Sequence, residues 1–203
     1  LFSALKNIDL SGFDSIAVGP GIGIDNDDWQ KSKDYLMAFG GLLILDADAL
    51  NRISESKLGA NFFLERKFKT WITPHSKEFG RLFPNINSKT NVGLAREAAK
   101  EFNISILLKG ANSIVADNKK VWQLFGTDSQ TARAGLGDLL SGFVAGSSAI
   151  DLTLCRNIST DFFAKYVLLH SFAASKCKSG SNASAIGDEL TKLMRNIKTR
   201  QIS

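Results

Sequence analysis

The residues best suited to chemistry lie in one stretch, residues 131–146, where a glycine-rich loop runs into an apolar helix. Asp138 stands where the loop meets the helix, just after Gly135 and Gly137. The first turn of a helix carries unpaired N–H groups and about half a positive elementary charge, which suits a phosphate. Asp138 could then act as a catalytic base, or it could cap the helix, because Asp is a favoured N-cap residue. The stretch by itself leaves both hypotheses open.

A glycine-rich turn and a pair of aspartates each follow a predicted buried strand. The turn, residues 19–23, comes after an apolar strand over residues 16–18, and Asp46 and Asp48 come after the apolar run 42–45. Open α/β sheets bind their ligands at the carboxyl ends of the strands, so both stretches lie where a site is expected. Each also has a structural interpretation, since the turn can be a tight connection and either aspartate can cap the next segment.

His75 and Lys109 are predicted to reach the same edge of the sheet. His75 closes a short strand over residues 70–75, and Lys109 directly follows a buried strand over residues 104–108. An ammonium at this point, followed by the N–H groups of the turn Lys109-Gly-Ala-Asn-Ser113, can hold phosphate oxygens. A lone histidine or a lysine on a turn is also often merely structural or solvated.

The order of these patterns predicts the fold. Helical spacing covers a segment from about residue 26 to residue 39, then residues 92–102, a segment that starts at Asp138, and residues 161–177 and 185–197. Residues 113–124 are typical of a hairpin around a polar turn. Strands that alternate with helices predict a three-layer α/β fold, a mostly parallel sheet with helices on both faces and an antiparallel hairpin at one edge.

Three smaller predictions accompany this fold. Gly40 and Gly41 are expected to end the first helix in the left-handed backbone region. The charged, Phe-rich segment before residue 70 is predicted to be a connection. His170 is expected to pack or form hydrogen bonds within the core and to take no part in chemistry.

Composition bounds the class of protein. With 203 residues, 44% of them hydrophobic, the chain is predicted to form one domain over residues 1–203. The net charge of +5 comes from scattered residues, which disfavours nucleic-acid binding.

Cys155 and Cys177 have no metal-site spacing and indicate reduced thiols in a cytoplasmic protein. No apolar run approaches the ~20 residues of a membrane span, so no membrane is expected. The chain opens as if in mid-structure and is expected to be truncated at its N-terminus.

Five motifs together resemble one family. They are Gly19-Pro-Gly-Ile-Gly23, Leu45-Asp-Ala-Asp-Ala-Leu50, Thr73-Pro-His75 with Glu78, Leu108-Lys-Gly110 and Gly135-Leu-Gly-Asp-Leu-Leu-Ser-Gly142. Their order and spacing are similar to those of the ADP- or ATP-dependent NAD(P)H-hydrate dehydratases of the ribokinase-like superfamily, over nearly the whole chain. The resemblance implies repair of a damaged nicotinamide cofactor. In that reaction the (6S) hydrate of NADH or NADPH is dehydrated at the cost of a nucleoside phosphate bond.

The resemblance also implies roles for individual residues. Asp138 would be the catalytic base and would contact the hydrated dinucleotide together with Gly21 and His75. The nucleotide, ADP or ATP, would lie against seven residues of two loops: Lys109, Gly110, Ala111, Asn112, Ser113, Gly135 and Gly137. Mg²⁺ would be held through the phosphates and water, with no metal ligand from the protein. A homo-oligomer is implied as well, and an epimerase domain on the same polypeptide is allowed.

Three departures from the family pattern keep other functions open. Leu136 stands where the family generally has a Thr or Ser hydroxyl, with Arg133-Ala134 in place of smaller residues just before it, and Lys77 stands where many relatives have glycine. The strand and helix units that normally begin the domain are absent from this sequence. A ribokinase-like kinase of a small alcohol, such as a vitamin precursor or a sugar, would use the same Asp138. A non-catalytic nucleotide-binding module would tolerate Leu136 and the missing first units.

Overall fold

Six strands form a single sheet in the computed structural model, which describes residues 8–23, 26–125, 135–155, 157–178 and 181–200. In spatial and chain order they are β1 (Ser15–Val18), β2 (Leu42–Leu45), β3 (Thr70–Ile72), β4 (Ser105–Leu108), β5 (Ser113–Ala116) and β6 (Val121–Leu124). The strands β1 to β4 pair in parallel, whereas β5 and β6 pair antiparallel. The predicted sheet with a hairpin at one edge is therefore confirmed.

The described residues form eight α-helices. They are α1 (Asn26–Ala38), α2 (Ala47–Glu55), α3 (Asn61–Glu65), α4 (Ser76–Leu82), α5 (Asn91–Phe102), α6 (Leu136–Cys155), α7 (Thr160–Lys176) and α8 (Ala183–Arg200). The short helices α2 and α3 were not predicted, because the charged residues of this segment hide its apolar spacing. Leu50, Ile53, Phe62 and Phe63 nevertheless all face the core.

Alternating residues of the strands build two cores, one on each face of the sheet. Leu43 and Leu45 of β2 pack with residues of α1 to α5, whereas Leu42 and Ile44 pack with α6 and α7. All four side chains are buried, which explains why β2 is apolar throughout its length. The last helix, α8, packs against α6 and α7 through a third apolar cluster. Helices therefore cover both faces, as predicted for a three-layer fold.

Gly41 is required for a reason different from the predicted one. Neither Gly40 nor Gly41 has a positive φ, so the expected left-handed end of α1 is wrong. Instead, a Cβ on Gly41 would lie 2.4 Å from the Phe39 ring and 2.6 Å from the carbonyl oxygen of Asp14. Glycine lets the chain pass between these groups on its way into β2.

Within the described part of the chain, α6 alone is long and apolar enough to cross a membrane by length and composition. The sequence prediction did not foresee such a segment. In the structure, α6 packs against β1, β2 and α7, so one side of this helix belongs to the protein core. Ile150 and Leu154, on its second half, are exposed.

His170 lies in the core, as predicted, with 8% of its surface exposed. Its Nε2 atom has no hydrogen-bond partner among the described residues. Burial penalises the charged imidazolium and lowers the pKa of His170 to about 4.

This burial predicts a pH-dependent stability. An unfolded chain protonates His170 near pH 6.5, whereas the folded protein does so only near pH 4. The unfolded state therefore binds the extra proton between these values, and the free energy of unfolding falls as the pH drops, by up to about 3 kcal/mol. His170→Leu should lose this part of the pH dependence in urea titrations at pH 4.5 and pH 7. Equal pH dependence in both proteins would contradict the prediction.

Candidate active site

The segments that follow β1 to β4 lie side by side at one edge of the sheet. The N–H of Asp46 donates to the carbonyl oxygen of Val18 at 3.1 Å, and the N–H of Thr73 donates to that of Leu45 at 3.0 Å. Beyond β3 and β4, His75 and Lys109 form an isolated parallel bridge. The structure therefore brings the glycine turn, Asp46, His75 and Lys109 to one rim, as the sequence predicts.

An ion pair occupies the middle of this rim. The Lys109 Nζ atom lies 2.7 Å from Asp46 Oδ1, and the hydroxyl of Ser141 donates to Asp46 Oδ2 at 2.7 Å. The Asp46 side chain is 2% exposed and that of Lys109 is 25% exposed. The carboxylate is thus held beneath the lysine, whose ammonium keeps some access to solvent.

The start of α6 rests directly on this ion pair. A Cβ on Gly137 would lie 3.6 Å from Lys109 Nζ and 3.7 Å from Asp46 Oδ2. The ammonium and the N-terminal end of a 20-residue helix therefore meet, and both favour a negative ligand. The structure places Lys109 beside Gly137, and their binding of an anion stays a prediction.

The helix begins at Leu136, two residues before the predicted start. The N–H of Leu139 donates to the carbonyl oxygen of Gly135 at 2.9 Å, so Gly135 is the N-cap residue. Gly135 has a φ of 83°, a left-handed conformation that glycine adopts without strain. Asp138 is the third residue of α6, so the hypothesis that it caps the helix is wrong. Residues 131–134 of the predicted loop lie outside the described residues.

Asp138 is exposed and lies at a groove between α6 and α8. The groove has a volume of about 920 Å³, near the upper end of the range usual for ligand pockets. Its walls include Gly142, Gly146 and Gly187, where no side chain fills the space, together with Phe143. A carboxylate with access to solvent beside an apolar groove can accept a proton from a bound ligand.

A second cavity, of about 820 Å³, lies at the opposite edge of the sheet. Asp14, Leu42 and Lys69, which precede or open the first three strands, line it. The candidate site residues Gly21, His75 and Lys109 follow β1, β3 and β4 and lie at the carboxyl edge, so the candidate site is the one there.

His75 has a structural role, which is the alternative that the sequence left open for a lone histidine. Its Nδ1 atom accepts hydrogen bonds from the N–H groups of Lys77 and Glu78, while Glu78 Oε2 accepts one from the N–H of His75. This reciprocal pair is a capping box at the start of α4. Because Nδ1 accepts, the neutral ring carries its proton on Nε2. The side chain is 49% exposed, so contact with a substrate stays a prediction.

The turn after Lys109 lies at the surface. Gly110, Ala111 and Asn112 are exposed, and the hydroxyl of Ser113 donates to the carbonyl oxygen of Gly110 at 3.3 Å. These residues directly follow Lys109 in the chain, and their contact with a nucleotide stays a prediction.

The glycine turn after β1 approaches the aspartate segment closely. A Cβ on Gly19 would lie 1.7 Å from the carbonyl oxygen of Asp46, and Gly19 has a φ of 140°. Gly21 has a φ of 68°, and a Cβ there would meet nothing within 4 Å. Gly19 is thus required by packing, whereas Gly21 is open to a ligand.

Among the described residues, no group of three or more His, Cys, Asp or Glu side chains could hold a metal ion. The buried carboxylate of Asp46 is already paired with Lys109. A magnesium ion at this rim would fit only as one that arrives on the nucleotide phosphates and retains water, which is the usual habit of Mg²⁺.

A protein-family model described as NAD(P)H-hydrate dehydratase matches residues 2–198. The chain belongs to this family. Curated relatives of the dehydratase family agree with the assignment. The bifunctional NAD(P)H-hydrate repair enzyme of Gloeobacter violaceus is 37% identical over 159 residues, which are 75% of this chain and 28% of the relative. That of Synechocystis sp. is 34% identical over 145 residues, which are 71% of this chain and 27% of the relative. The chain therefore spans little more than a quarter of the length of these relatives.

Solved structures show the ribokinase-like fold. A ribokinase-like superfamily protein from Enterococcus faecalis has a TM-score of 0.78 at 25% identity, over 96% of this chain and 66% of that one. The ADP/ATP-dependent NAD(P)H-hydrate dehydratase of Bacillus subtilis, co-crystallised with ATP and Mg²⁺, has a TM-score of 0.74 at 22% identity, over 96% of this chain and 69% of that one.

Two features of this candidate site were not assigned from the sequence. The partnership of Asp46 with Lys109 joins residues 63 positions apart, which no local pattern reveals. Ser141 lies one helical turn after Gly137, so the predicted helix was enough to place both residues on the same face of α6. The aspartates were expected to include one cap, and Asp46 is indeed the N-cap of α2.

Proposed function

We propose that this chain dehydrates the (6S) hydrate of NADH or NADPH, driven by hydrolysis of ADP or ATP. The observation that carries this proposal is the meeting of Lys109 with the start of α6, one residue before Asp138. An anion site adjacent to a carboxylate is what transfer of a phosphoryl group to an alcohol requires. The family, and the nucleotide dependence in the names of the Nitrosopumilus maritimus and B. subtilis proteins, support the same reaction.

The proposed reaction has two stages. The oxygen of the C6 hydroxyl attacks the terminal phosphorus of the nucleotide, and Asp138 accepts the proton of that hydroxyl. Lys109 and the N–H groups at the start of α6 stabilise charge on the transferred group. The lone pair of the ring nitrogen then breaks the C6–O bond and releases phosphate, and loss of a proton from the neighbouring carbon restores the reduced ring.

Magnesium fits this site on the nucleotide and not in a protein cage. When bound, Mg²⁺ would neutralise charge on the phosphates. Lys109 and the turn to Ser113 would contact those phosphates from the protein side, and Asp46 would stay paired beneath the lysine.

A product assay tests the proposal. The complete natural polypeptide is incubated with hydrated NADH and either ADP or ATP, and free phosphate and the absorbance of reduced nicotinamide are followed. The dehydratase should release phosphate and restore absorbance in step. A stable phosphate ester, formed with a small alcohol as acceptor, would instead support a kinase. Nucleotide binding without turnover of any hydrate would support a binding module.

Lys109→Ala should weaken nucleotide binding by roughly 10- to 100-fold, as expected for the loss of a hydrogen bond to a charged group. The loss should shrink as salt is raised, because part of it is electrostatic. Lys119→Ala, in the β5–β6 turn at the opposite edge of the sheet, is the matched control. Calorimetry measures the affinity of both variants for ADP and ATP. Melting temperatures measure the stability that is lost when Asp46 has no lysine partner. Unchanged affinity for both nucleotides would remove Lys109 from the site.

The curated relatives are named bifunctional repair enzymes, which indicates that each carries a second activity. We infer that an epimerase activity accompanies the dehydratase in the complete polypeptide and supplies the (6S) hydrate from its epimer. Conversion of the isolated (6R) hydrate to NADH with nucleotide present would support this inference, and conversion of the (6S) form alone would overturn it.

A further inference from the structure

Two side chains of α2 hold the last peptide groups of the glycine turn. The N–H of Gly23 donates to Asp48 Oδ2 at 3.0 Å. Arg52 donates to the carbonyl oxygen of Gly23 through Nη2 at 2.9 Å and through Nε at 3.2 Å. Asp48 and Arg52 are four residues apart and therefore share one face of the helix. We call this pair of side chains the α2 clamp.

The other end of the turn is fixed by the residue that precedes the same helix. Gly19 packs against the carbonyl of Asp46, and the N–H of Ile22 donates to the carbonyl oxygen of Gly19 at 3.3 Å. Between the two anchored ends, Gly21 is exposed in a left-handed conformation. The turn is thus held at both ends and presents its middle outward.

The position of Arg52 indicates that the clamp is more than a surface contact. Arg52 is 2% exposed, although arginine is rarely buried so completely. Burial of a guanidinium is costly unless its donors are used, and here two of them converge on one carbonyl oxygen. Such an arrangement fixes a peptide group in direction as well as in place.

We propose that Asp48 and Arg52 are positioning residues that hold the turn, residues 19–23, as a rigid surface for the hydrated dinucleotide. The part of this inference that concerns the substrate rests on the proposed function. The clamp acts at the end of β1, whereas Lys109 follows β4, three strands away, which corresponds to roughly 14 Å across the sheet. Loss of the clamp therefore affects binding of the hydrate and leaves binding of the nucleotide unchanged.

The test compares Asp48→Ala with Asp48→Asn in the complete polypeptide. Both variants lose the charge near the start of α2, but Asn keeps a carbonyl oxygen that can accept the Gly23 N–H. Hydrogen exchange at the Gly23 amide should be faster in the Ala variant by about 10-fold, the equivalent of one lost hydrogen bond, and close to the wild-type rate in the Asn variant.

Binding provides the second readout. Calorimetry without nucleotide should show hydrate affinity about 10-fold weaker in Asp48→Ala and nearly unchanged in Asp48→Asn. ADP and ATP affinities should match the wild type in both. Arg52→Lys, which keeps the charge but lacks the planar pair of donors, should lower hydrate affinity as Asp48→Ala does and leave ADP and ATP affinities unchanged.

The outcomes separate the clamp from the proposed function. Equal exchange rates in Asp48→Ala and Asp48→Asn would overturn the clamp, even if the wild type dehydrates the hydrate. Nucleotide and hydrate affinities that fall together would show a general structural role and overturn the selective one. Wild-type protein that neither binds nor converts the hydrate would overturn the proposed function and the substrate part of this inference, while the exchange rates would still decide whether the side chains hold the turn.

Discussion

Asp138→Asn should lower turnover of the hydrate by at least ~100-fold, the usual loss when a general base is removed. The amide occupies nearly the same volume as the carboxylate but cannot accept the proton of the C6 hydroxyl. Because Asp138 is exposed and Gly135 caps α6, no cap is lost. The free energy of unfolding should fall by only about 0.3–1 kcal/mol, which is the usual contribution of a charge in the first turn of a helix.

The variant is measured for hydrate turnover, nucleotide affinity and melting temperature. Asp188→Asn is the matched control, because Asp188 lines the same groove from α8. Turnover should fall in the first variant alone, with nucleotide affinity and folding nearly intact in both. An Asp138→Asn protein that retains most of its activity would exclude Asp138 as the base and leave the reaction without an assigned proton acceptor.

Gly19→Ala should destabilise the fold by more than about 3 kcal/mol, in the upper range for single substitutions. The new Cβ would lie 1.7 Å from the carbonyl oxygen of Asp46, so one of the two backbones must move. That carbonyl accepts the first hydrogen bond of α2, from the N–H of Ala49 at 3.1 Å. The positive φ of Gly19 adds strain for any residue with a Cβ. Urea unfolding measures the loss.

Gly21→Ala in the same turn serves as the control for Gly19. Its φ is also positive, but a Cβ there would meet nothing within 4 Å. The expected cost is about 1 kcal/mol, from backbone conformation alone. Equal losses at the two positions would show that conformation, and not close packing against Asp46, makes Gly19 necessary.

The sequence alone determined the order of the elements and the edge that carries the site. Buried parallel strands such as β2 are apolar on both faces, and polar residues that directly follow them must emerge at the carboxyl edge. For that reason the glycine turn, Asp46, His75 and Lys109 could be placed together. The helices α2 and α3 could not be predicted from the sequence, because short helices with charged outer faces show little hydrophobic periodicity.

Only the tertiary structure decided which of these residues work in pairs. The ion pair of Asp46 with Lys109 and the hold of Arg52 on Gly23 join segments 63 and 29 residues apart. Such pairs depend on how strands and helices are placed side by side. The start of α6 also had to be read from the structure: the N–H of Leu139 donates to the carbonyl oxygen of Gly135, which makes Asp138 the third residue of the helix. Local residue types predict which groups reach the rim, but distances of a few ångströms between distant segments are set by packing of the whole sheet.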